Sequence, residues 1–111
     1  MSIPESITAL QSVDNLIMEN HNVFNGTRET DNSVLAEINA AISYFEQVSA
    51  DLQGHEMPSY GADQIVEKLR ELHGEVEANA SKIEELMTHT EGLHENFEEI
   101  IVLAGDLIAG G

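Results

Sequence analysis

From Ile65 to Leu107 apolar side chains return every three or four residues, interrupted only by Asn79 and Thr90, and the pattern holds its phase for the whole stretch. With Leu69 placed at heptad position a, the a row reads Leu69, Val76, Ile83, Thr90, Phe97 and Ala104. The d row reads Ile65, Leu72, Asn79, Leu86, Leu93, Ile100 and Leu107. A seven-residue apolar repeat is the signature of a helix that buries one long stripe against another helix. Strands would need alternation at period two, and none persists. At about 1.5 Å per residue, a helix over 63–108 would be nearly 70 Å long, wider than a compact globule of this chain length. The expected fold class is therefore all-α: two shorter helices and one long C-terminal helix, forming a helical hairpin or bundle with coiled-coil heptads.

The breaks are read from turn chemistry. Residues 25–32, Asn-Gly-Thr-Arg-Glu-Thr-Asp-Asn, are rich in cap and turn formers. Residues 54–62 hold Gly54, Pro58 and Gly61. These breaks give one helical domain over 1–111, with helices at about 4–24, 33–53 and 63–108. Ser2 is placed to cap the first helix, with Pro4 in its first turn. The second helix is expected to run antiparallel along the first half of the third. The first helix would complete a local three-helix bundle. Residues 86–108 would then lack a partner within the chain.

That stretch is the most apolar of the sequence, which points to an interface. The expected interface residues are Leu86, Leu93, Phe97, Ile100, Ile101, Leu103, Leu107 and Ile108. Asn79, a polar residue on the d row, is expected to set register, because a polar layer penalises misaligned pairings. The e row, with Val66, Met87, Ile101 and Ile108, widens the stripe beyond what a two-stranded coil buries.

Charge limits the partners. Four Lys and Arg stand against 21 Asp and Glu, for a net charge of −17. Nucleic acid is excluded as an expectation, since phosphate recognition needs basic side chains. No window is apolar enough to span a membrane. Met1-Ser2-Ile3-Pro4-Glu5 has neither a basic region nor an apolar run, so no Sec signal peptide is expected. Nothing else in the sequence gives a location.

Chemistry is sparse. There is no Cys, hence no disulfide or zinc-thiolate site. Glu91-Gly92-Leu93-His94 matches a single Glu-x-x-His, but a di-metal bundle site needs two such motifs and further glutamates. No nucleophile elbow, phosphate loop or calcium loop is present. No catalytic residue, metal ligand or cofactor is expected. The reading is a non-enzymatic structural or assembly subunit that oligomerises through its C-terminal helix, as a homo-oligomer or within a larger particle such as a virion or secretion apparatus. The alternative is an adaptor or chaperone-like module that docks this helix on a different protein.

Overall fold

The computed structural model describes residues 2–110, and it contains two helices, α1 (Ile3–Gly54) and α2 (Tyr60–Ala109). No strand occurs among the described residues. The three-helix layout is thus corrected to two. Residues 25–32 continue α1 instead of breaking it. Ending a helix leaves up to four N–H and four C=O groups without intrahelical partners, whereas Gly26 inside a helix costs only about 1 kcal/mol. Turn-forming composition loses to that difference when a second helix lies alongside.

Ser2 and Glu5 cap α1 reciprocally. The Glu5 N–H donates to Ser2 Oγ at 3.2 Å, and the Ser2 N–H donates to Glu5 Oε2 at 3.4 Å. This is a capping box, which satisfies two of the donors left over at a helix start. At its other end α1 closes with paired reversed bonds. The Met57 N–H donates to the Leu52 carbonyl at 2.8 Å and the Glu56 N–H to the Gln53 carbonyl at 3.0 Å. That arrangement demands a left-handed residue between them, and Glu56 supplies it with φ of 55°. Pro58 follows, where it cannot prolong the helix.

The contacts sort the chain into two units, one of Met1–Gly26 with Ile83–Gly111 and one of Thr27–Lys82. The second, the turn unit, is an antiparallel helical hairpin. On α1 its inward residues are Arg28, Asp31, Leu35, Ile38, Ile42, Phe45, Ser49 and Leu52; on α2 they are Ala62, Val66, Leu69, His73, Val76 and Ala80. Both sets alternate spacings of three and four. Asp63 ties the turn together: Ser49 Oγ and Ser59 Oγ both donate to its carboxylate, and Gln53 Nε2 donates to both serines at 3.2 Å. Further along, Asn79 Nδ2 donates to Asp31 Oδ2 at 2.8 Å.

The terminal unit pairs the first part of α1 with the last part of α2. Residues 86–108 therefore do have an intramolecular partner, which corrects the expectation that they lack one. The reason lies in α1: once it continues through 25–32, residues 3–24 are not a third helix of a local bundle.

Candidate assembly face

The inner side of the terminal unit is unusually polar. Ile7, Leu10, Asp14, Ile17, His21 and Phe24 on α1 face Ile83, Met87, Thr90, His94, Phe97, Ile101 and Ala104 on α2, all of them buried or half-buried; Ser6, Met18, Asn25, Gly92, Leu93 and Gly105 are half-buried as well. Asp14, only 8% exposed, lies between these helices with its carboxylate 2.9 and 2.8 Å from His94 Nδ1. The other ring nitrogen, Nε2, stands 3.0 Å from Glu98. Carboxylates only accept, so a protonated His94 serves both. The His94 pKa is raised above its usual 6.5, first by the hydrogen bond to Asp14, against partial desolvation, and then by the charges of Asp14, Glu98 and Glu95.

One turn along, His21 Nδ1 is 2.8 Å from Thr90 Oγ1. The Thr90 hydroxyl spends its single proton on the Met87 carbonyl at 2.8 Å, so it accepts from His21, whose Nδ1 carries the hydrogen. His21 Nε2 then faces Glu91 at 3.7 Å. Polar groups that would be costly if buried alone are thus matched across the contact, and no buried side-chain nitrogen or oxygen among the described residues lacks a partner.

Glu91 and Glu98 mark one edge of this contact. The residues that precede the inward Met87, His94 and Ile101, namely Leu86, Leu93 and Ile100, lie on the other edge. In an antiparallel pair, like positions on the two helices share an edge. Val13 and Asn20, which precede the inward Asp14 and His21, therefore flank the same side as Leu93 and Ile100. On α1 this edge and the row outside it carry Ser6, Ala9, Val13, Leu16, Asn20 and Val23; on α2 they carry Leu86, His89, Leu93, Asn96, Ile100, Leu103 and Leu107. There is no Asp, Glu, Lys or Arg in either set. The opposite edge of α2 carries Glu84, Glu91 and Glu98 with Glu85, Glu95 and Glu99 beside them.

The large apolar side chains of this face are open to solvent: Leu16 is 63% exposed, Val23 64%, Ile100 47% and Leu107 64%. Leu86, Leu103 and Ile108 are also exposed, and Leu93 is half-buried. Phe97 and Ile101 are half-buried on the inner side against α1. The expected a/d seam is therefore displaced. In the terminal unit the a and e rows face α1, and the d row faces outward apart from the half-buried Leu93. Both choices have the same seven-residue period. The a/e choice brings His94 to Asp14, which the d row could not do. Asn79, in the turn unit, is exposed and meets Asp31 of α1.

On the α1 half of the face, Val13 keeps the helical spacing of Ile7, Leu10 and Ile17 and would be expected on the buried stripe, yet it is 44% exposed; Leu16 and Val23 were not singled out from the sequence. Leu16 and Val23 are seven apart and off the core stripe, which was the available signal. Asp14 and His21 were missed as inward residues because they are polar.

Among the described residues no cluster of three or more His, Asp or Glu is placed to hold a metal ion. No helix among the described residues is long and apolar enough to cross a membrane. Comparison with protein-family models, curated proteins and solved structures returns no match.

Proposed function

We propose that this chain is a non-enzymatic assembly subunit that associates with copies of itself through the outer surface of the last part of α2. One observation carries the reading: the terminal unit pairs polar groups on its inside and leaves large aliphatic side chains outside. An isolated helix pair would gain more by burying Leu86, Ile100 and Leu107 than Asp14, His21 and Thr90, at about 25 cal/mol per Å² of apolar surface. Large aliphatic side chains left outside a helix pair whose inner side is already occupied are suited to a second layer of helices. Membership in a larger particle, such as a virion or secretion apparatus, belongs to this proposal as its setting.

Sedimentation equilibrium on the purified chain tests it. A discrete mass that is a multiple of 12.2 kDa supports self-association. A monomer at all accessible concentrations overturns it.

A second reading rests on Val102, which is exposed on the acidic side of α2, off the apolar face. Together with Leu103, Leu107 and Ile108 it makes the end of α2 apolar on several sides, as an adaptor docking on a different protein would require. The same measurement separates the two: an adaptor alone in solution is monomeric.

A further inference from the structure

We infer that the uncharged face of the terminal unit is the surface on which a second copy of this chain docks, and that α1 supplies half of it through Val13, Leu16 and Val23. The inference deepens the self-association proposed above and rests on it.

Charge favours a copy of the same chain over another occupant, and the accessible area leaves room for one. A chain of net charge −17 repels its own kind, so a copy can approach closely only where carboxylates are absent. In the terminal unit the rows of this face carry no Asp or Glu; Glu19 borders them, beside Val13, Leu16 and Val23. A basic partner would instead be drawn to Glu84, Glu91 and Glu98. A face that is neutral on an otherwise acidic surface fits a like-charged neighbour with the same neutral face, which is the self-complementary contact of a twofold dimer.

The chain leaves 7710 Å² accessible, whereas a compact monomer of its 12.2 kDa would leave about 6,100 Å². That excess, roughly 1,600 Å², is spread over both units, and a stable interface asks about 800 Å² from each partner. A copy on this face would bury the aliphatic rows of both helices and produce a four-helix layer. His89, Asn20 and Asn96 would give it a polar fringe.

The test compares two substitutions on α1 that add the same charge. Leu16→Glu places a carboxylate on the face; Asn22→Glu places one on the solvent side of the same helix. In sedimentation equilibrium of the full chain, Leu16→Glu is expected to weaken the dimer about 100-fold, because a carboxylate would have to be buried unpaired. Asn22→Glu is expected to change it no more than about threefold. Circular dichroism verifies that Leu16→Glu keeps its helix content; if it does not, Leu16→Ser is the replacement, with a smaller loss in the same direction.

A benzophenone side chain at position 16 gives a second readout. Irradiation should produce a cross-linked dimer. A wild-type oligomer that Leu16→Glu and Leu16→Ser leave intact would overturn this face while self-association stands. A monomeric wild type would overturn self-association itself and this inference with it.

Discussion

His94 grips the carboxylate of Asp14 across eighty residues of sequence, its Nδ1 within 2.8 Å of one oxygen and 2.9 Å of the other. The pair joins α1 to α2 in the terminal unit, and Glu98 closes on the far nitrogen of the same ring.

Stability should follow the protonation of this ring. The His94 pKa is raised above 6.5 in the folded chain, so the folded state holds the proton more tightly than the unfolded one. The resulting stabilisation is fully present below about pH 6.5 and is lost as pH rises through the higher folded value. Urea midpoints measured between pH 5.5 and about 8.5 should fall over the upper part of that range. His94→Gln should flatten the dependence.

Gly26 lies inside α1, and a Cβ at that position meets nothing within 4 Å. Gly26→Ala should therefore raise stability by about 1 kcal/mol, the helix-propensity difference between the two residues. A chain that turned at 25–32 would show no such gain. Chemical denaturation of the two proteins measures it.

Glu56 holds φ at 55° to complete the end of α1. A side chain in this conformation costs about 1–2 kcal/mol, which glycine avoids. Glycine also carries more backbone entropy in the unfolded chain, so Glu56→Gly should stabilise by a net of about 1 kcal/mol. Denaturation midpoints would report it, with far-ultraviolet circular dichroism unchanged.

Met87 and Ile100 separate the inside of the terminal unit from its outer face. Met87 is 7% exposed, so Met87→Ala should cost about 2–3 kcal/mol in unfolding free energy. Ile100→Ala, measured at a dilution where the chain is monomeric, should lie within about 0.5 kcal/mol of wild type. Ile100→Asp should dissociate the proposed oligomer while leaving its helix content. Loss of helix in that variant would place Ile100 inside.

Added salt should strengthen self-association. The chain has few basic residues to form attractive pairs, and its net charge of −17 is screened within about 10 Å at 0.1 M ionic strength. The apparent dissociation constant from sedimentation should fall between about 50 mM and about 500 mM sodium chloride. A rise would mean that ion pairs dominate the contact.

Local chemistry in the sequence determined that this chain is helical, that a capping Ser2 opens α1 and that the chain turns near Gly54 and Pro58. Those features depend on residues within a turn or two of one another. The seven-residue spacing also belongs to the sequence, since it reflects only the pitch of a helix. Which row of that spacing faces inward was decided by the tertiary structure. Leu86 and Ile100 on one row and Met87 and Ile101 on the next are equally apolar and equally periodic. The difference is made by what stands opposite: Asp14 for His94 and His21 for Thr90. The same holds for residues 25–32, whose turn-forming side chains stay helical because the backbone of an unbroken α1 is satisfied throughout. The α1 half of the uncharged face exists only because antiparallel pairing brings Val13 to the same edge as Leu93, a juxtaposition of residues eighty positions apart that no local pattern encodes.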